Sequence, residues 1–129
     1  MADQFRLRPV VWMGSSRRDL GAMPEAVQAH MGYALYVAQQ GGKHKDAKPL
    51  KGFRGAGVVE IITDHRSDTF RCVYTVRIAG AVYVLHVFQK KSKSGRATPK
   101  GEIRLIEQRL REAERLHEER SHGEKKDRA

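Results

Sequence analysis

Cysteine is nearly missing from this chain. Cys72 is the only one, so no internal disulfide can form, and a reducing compartment is the natural setting. It falls on the apolar face of its strand, as a buried structural thiol would. The six histidines show no metal-ligand spacing with it: His117 and Glu118 followed by His122 is not an HExxH pattern, and neither metal nor cofactor is expected. No apolar run approaches the roughly 20 residues a membrane span needs, and the opening MADQFRLRPVVWMG holds none either. The chain therefore reads as cytoplasmic, with no membrane partner. Acidic residues are scarce too, 15 Asp+Glu against 25 Lys+Arg. At 129 residues there is room for one ordinary core but not two, so a single domain over 1–129 is expected, ordered from about residue 8 to 116.

The missing acid leaves a net charge of +10, which favours an anionic partner, nucleic acid above all. Residues 51–100 hold 10 Lys or Arg against 3 Asp or Glu, so +7 of the total lies there. The ordinary alternative is that these cations only solvate the surface.

That basic segment also contains the best-defined pattern, GVVEIITDHRSDTFRCVYTVRIAGAVYVLHVFQKK from Gly57 to Lys91, three β-branched and aromatic runs separated by turn residues. It reads as a three-stranded antiparallel meander. In the middle run Thr69, Arg71, Thr75 and Arg77 alternate with Phe70, Cys72, Tyr74 and Val76. A loop over His65–Asp68 pairs Asp64 with Thr69 and Ile62 with Arg71. A two-residue turn at Ala79–Gly80 pairs Ile78 with Ala81, Thr75 with Val84, Val73 with His86 and Arg71 with Phe88. Glu60, Arg71, Thr75, His86 and Lys90 then converge on one face, beside Val82, Val84 and Phe88. The other face collects Val59, Ile61, Phe70, Cys72, Tyr74, Val76, Tyr83, Leu85 and Val87. One face is core and the other a candidate site, provided neither turn slips by a residue.

Around the meander, Val10, Val11 and Trp12 suit a first strand that could add to a sheet edge. Arg17–Ala22 suits a short helix. Pro24–Gln40 suits a longer one, buried through Val27, Met31, Ala34, Leu35 and Ala38, with Gly32 explained by close packing on the sheet and Tyr33 and Tyr36 assigned to the core. Lys43–Gly57 reads as a basic loop, where Lys48, Lys51 and Arg54 could follow a phosphate backbone. Lys90–Gly101 reads as a second, in which Lys93 and Arg96 could do the same. Thr98 and Pro99 open a closing helix striped by Ile103, Ile106, Leu110, Ala113 and Leu116, docked by one edge. From about Ser121 the composition predicts a disordered tail.

The order of elements resembles the RelE/ParE toxin superfamily of bacterial toxin–antitoxin pairs. The segments KPLKGFRGAGVVEI, TFRCVYTVR and YVLHVFQKKSKSGRATPKGEI are similar to the phage-derived, HigB-like branch. The resemblance implies an α+β, RelE-like fold: a short N-terminal strand, two helices, a three-stranded antiparallel meander and a C-terminal helix. It implies a type II toxin that cleaves mRNA, on the ribosome in many relatives, and a neighbouring antitoxin of helix-turn-helix type. By motif position Arg71 matches the family arginine of the middle strand, and Lys90 and Lys91 match the basic residues ending the last.

The chemistry of RNA cleavage agrees with that transfer. Attack by a 2′-hydroxyl on the adjacent phosphate needs a base, an acid and cations around the phosphorane. Glu60 or His86 can be either base or acid, and Arg71, Lys90 and Lys91 can hold the phosphate. No tyrosine follows Tyr83, so a late-chain tyrosine used by some relatives is missing. Two readings stay beside the ribonuclease: a ParE-like poison of DNA gyrase, and an inactive phage-related protein that only binds nucleic acid or a partner. On either, Glu60 with Arg71 can be an ordinary cross-strand ion pair and His86 a satisfied, partly buried histidine.

Overall fold

The computed structural model describes residues 6–53, 55, 57–78, 80–90 and 98–128, with side chains described as far as 119 in the last helix. Its elements are β1 (Val10–Trp12), α1 (Ser16–Gly21), α2 (Glu25–Gln39), β2 (Lys48–Pro49), β3 (Val58–His65), β4 (Asp68–Thr75), β5 (Val82–Lys90) and α3 (Lys100–Arg128). The class is α+β, as expected. The sheet has five strands in the order β1-β5-β4-β3-β2. Valine, isoleucine and aromatic side chains at alternate positions make β3, β4 and β5 its centre. β1 adds in parallel to β5 through Val10↔Val82 and Trp12↔Val84. The loop expected over 43–57 also contributes β2, which pairs Lys48 with Glu60. Pro49 is tolerated there because an edge strand does not need every N–H.

β3 and β4 pair as their patterns dictate, Ile62↔Arg71 and Asp64↔Thr69, around a turn with Arg66 and Ser67 both at positive φ. Between β4 and β5 the expected partners Arg71↔Phe88 and Val73↔His86 are present, but Tyr74 then faces Val84 and Thr75 faces Tyr83. One extra residue, Leu85, is accommodated by a β-bulge, so the side chains before it change face. Val82 and Val84 therefore pack with α2, while Tyr83 and Leu85 pack with α3. The strands do not run up to the expected turn: β4 stops at Thr75 and β5 begins at Val82, while the Ala81 amide donates to the Ile78 carbonyl and Ala79 lies outside the described residues.

Both faces of the sheet carry a core. On one, Val27, Met31, Ala34, Leu35 and Ala38 of α2 meet Ile61, Phe70, Cys72, Tyr74 and Val87. These are the α2 positions its helical spacing selects. Burial pushes the Cys72 thiol up to about 12, so it is an inert core side chain. On the other face, Ile103, Ile106, Leu110, Ala113 and Leu116 of α3 cover Val58, Val73, Tyr83, Leu85 and Phe88. α3 docks by this one stripe, as its spacing predicts. Its backbone stays helical to Arg128, past the point near Ser121 where the composition predicts a tail; Glu, Lys and Arg are good helix formers without burial.

Three α2 residues differ from expectation. Tyr33 is 62% and Tyr36 40% exposed, so neither belongs to the core. Gly32 is exposed as well, and a Cβ built there meets nothing within 4 Å. Close packing does not explain this glycine. Gly32→Ala is accordingly expected to stabilise the protein by about 1 kcal/mol through helix propensity and a less flexible unfolded chain. Urea unfolding measures this, and a lower midpoint at unchanged slope would contradict it.

Candidate functional site

The face of the sheet turned towards α3 carries, in cross-strand rows, Glu60–Val73–His86, Ile62–Arg71–Phe88 and Asp64–Thr69–Lys90. Pairing across antiparallel strands brings side chains of one row to the same side, so Glu60, Arg71, His86 and Lys90 share this face. They do not form one cluster.

Glu60, Arg71 and Lys90 form the first group. Arg71 Nη1 donates to Glu60 Oε2 at 3.2 Å and to Thr98 Oγ1 at 2.8 Å, and all three charged residues are under 10% exposed. Thr98 stands just before α3, so the start of that helix closes over the guanidinium. Removal from water and the nearby Arg71 charge hold the Lys90 ammonium below the usual lysine range, with Glu60 acting in the opposite direction. A lysine so placed releases its proton more readily than one in water.

His86 belongs to a second group. Its Nδ1 lies 3.2 Å from Arg109 Nη1 and its Nε2 is hydrogen-bonded to Glu102 Oε2. Burial lowers its pKa first, the Glu102 carboxylate raises it and Arg109 lowers it again, for a net downward shift. A neutral imidazole that accepts from Arg109 and donates Nε2–H to Glu102 satisfies every contact. Arg109 Nη1 also donates to the Leu85 carbonyl at 2.9 Å, at the bulge. Gly14, at φ +54, gives the guanidinium its space, because a Cβ there would come within 2.6 Å of it. Beside His86 and Glu102, along the end of β5, runs an open cleft of about 590 Å³ also lined by Asp19, Asp68, Phe70 and Gln89.

Thr75, expected to converge with these groups, is fully buried opposite Val58 and Tyr83. Lys48 and Lys51 are exposed on and just after β2. Arg54, Lys91, Lys93 and Arg96 lie outside the described residues.

The chain matches the family described as phage-derived protein Gp49-like (DUF891) over residues 18–111, which is more than half of its length. It belongs to the Gp49-like family. That family stands among the RelE/HigB-like toxins, the group that the sequence resembles. No curated protein matches the chain. The matched residues of this Gp49-like protein contain both groups, Glu60–Arg71–Lys90 and His86–Glu102–Arg109, whole.

Reading the strands alone missed Thr98, Glu102 and Arg109. The signal was present in α3, where Glu102, Ile106 and Arg109 follow at i, i+4 and i+7 and so share a face with the apolar stripe. A charged residue inside such a stripe needs a buried partner. The sheet supplies it in His86.

Among the described residues, no helix is long and apolar enough to cross a membrane. One further group escaped the sequence patterns: His30, His44 and Asp46 bring donor atoms within 4.8 Å of one another. Their spacing matches no motif because His30 comes from α2 and the other two come from the connection that follows it.

Proposed function

We propose that this Gp49-like protein is the toxin of a type II toxin–antitoxin system and acts as an mRNA endoribonuclease, with Glu60, Arg71 and Lys90 at its centre. The observation that carries this reading is the contact of Arg71 with Glu60 at 3.2 Å beside a lysine of depressed pKa. Together they supply the three functions that metal-free cleavage requires. Glu60 takes the 2′-hydroxyl proton, the Arg71 fork holds two phosphate oxygens, and Lys90 donates to the departing 5′-oxygen. Lys91, next to Lys90 in the sequence, adds positive charge, and Lys48, Lys51, Arg54, Lys93 and Arg96 are the cations available to the RNA backbone. For a phosphate to reach the guanidinium, the Arg71–Thr98 bond must open, which moves the start of α3.

The strand-face reading gave His86 a share in proton transfer. In this arrangement both its ring nitrogens are engaged by Glu102 and Arg109, so its part is to position α3 over the site. A gyrase poison would have no use for a carboxylate and a low-pKa lysine flanking an arginine, which favours cleavage over that alternative. The resemblance to the HigB-like branch further supports a helix-turn-helix antitoxin and mRNA presented on the ribosome. Brief induction without antitoxin is expected to halt translation with transcripts cut at defined positions, mapped by primer extension. Growth arrest with intact transcripts and DNA damage would instead support the gyrase reading.

A further inference from the structure

We infer that His30, His44 and Asp46 form a binding site for a divalent transition-metal ion of the zinc class, on the face of the sheet opposite the Arg71 site. Two imidazoles and a carboxylate are the ligand types that zinc and its neighbours take. His30 Nε2 stands 3.0 Å and His44 Nδ1 3.8 Å from the same oxygen, Asp46 Oδ2. Ligands of a tetrahedral ion with bonds of about 2.0–2.1 Å lie about 3.3–3.4 Å apart, so each histidine nitrogen already stands near that spacing from the carboxylate oxygen, and all three donors lie within 4.8 Å of one another. The rings of His30 and His44 are 5.3 Å apart and nearly perpendicular. His44 is buried and packs edge-on against Tyr33, while Asp46 is exposed and leaves the site open to solvent.

A supporting contact has the form found around metal-bound histidines. His30 Nδ1 lies 2.6 Å from Thr63 Oγ1, and Thr63 is buried on β3. That bond fixes the ring and turns Nε2 towards Asp46. Without an ion, Nε2–H donates to the carboxylate. On binding, the ring changes tautomer: the Nε2 proton is lost to solvent and one is regained at Nδ1, so that the Nε2 lone pair goes to the ion, the Thr63 hydroxyl accepts from Nδ1–H, and this ring releases no net proton. On His44, the ion takes over the Nδ1 lone pair that otherwise accepts the Asp46 amide at 3.0 Å.

Thr63 pairs with Phe70 on the α2 side of the sheet, whereas Arg71 points to the α3 side. An ion there ties α2 to the connection that leads into β2 and takes no part in the chemistry at Arg71. Its role is structural, and its presence is independent of the ribonuclease reading.

The test uses tag-free, full-length protein stripped with EDTA and titrated with zinc chloride by calorimetry. One equivalent is expected to bind, raising the melting temperature until EDTA is added. Cobalt(II) is expected to give the strong visible absorption of a four-coordinate site. Asp46→Asn, at an exposed position, and Thr63→Val are each expected to weaken binding by about tenfold or more. The double change His117→Ala, His122→Ala is expected to leave it unaltered. Absence of a saturable equivalent would overturn the proposal, as would binding that survives Asp46→Asn but is lost with His117 and His122.

Discussion

Arg71→Ala is expected to lower the free energy of unfolding by about 3–5 kcal/mol, because it strands the Glu60 carboxylate in a buried position without its partner. Both side chains of the pair are under 10% exposed, so water cannot readily replace the guanidinium. Joint replacement by apolar residues of similar volume, Arg71→Met with Glu60→Leu, is expected to recover most of that loss, since two desolvated charges disappear together. Urea unfolding of wild type, the single changes Arg71→Met and Glu60→Leu, and the double change gives the coupling directly. A cost below about 1 kcal/mol for Arg71→Ala would mean the pair behaves as an exposed one. The recovered double variant should remain non-toxic, which separates the stability of the pair from its use on phosphate. Arg71→Lys serves the same purpose: it keeps the charge but loses the two-pronged donor, and full growth arrest at equal expression would count against the assigned role.

Ile106→Ala is expected to cost about 2–5 kcal/mol, from lost burial and the cavity left between α3 and the sheet. Ile106 is completely buried among Val73, Tyr83, Leu85 and Phe88 on the face that carries the site. The exposed neighbour Glu107 gives the contrast, with Glu107→Ala expected to change stability by no more than about 0.5 kcal/mol. If Ile106→Ala costs as little as Glu107→Ala, α3 is not seated on the sheet as described. Because α3 brings Thr98 and Glu102 to Arg71 and His86, loosening it is also expected to weaken the closure over Arg71.

The alternation of side chains in β3 and β4 was enough to place Glu60 and Arg71 on one face, because a strand repeats every two residues and the Arg66–Ser67 turn keeps that phase. β5 was legible only from His86 onward. Leu85 adds a residue that no composition marks, so Val82 to Leu85 lie on the faces opposite to those that alternation assigns. The buried stripe of α2 was readable for the same periodic reason. Tyr33 and Tyr36 were not, since an aromatic side chain beside a helical stripe looks the same whether the sheet reaches it or stops short.

Sequence alone determined the helix stripes, the β3–β4 register, the concentration of positive charge over residues 51–100 and the family. Those properties are local or additive: each depends on residue type and spacing along a few turns or strands. Tertiary structure decided which charges meet. The start of α3 puts Thr98 on Arg71, and the bulge with Gly14 lets Arg109 and Glu102 take both nitrogens of His86. The chain reversal after α2 brings His44 and Asp46 to His30 from 14 and 16 residues away. Each of these contacts joins elements whose relative placement is fixed by packing, and no pattern within either element records the partner.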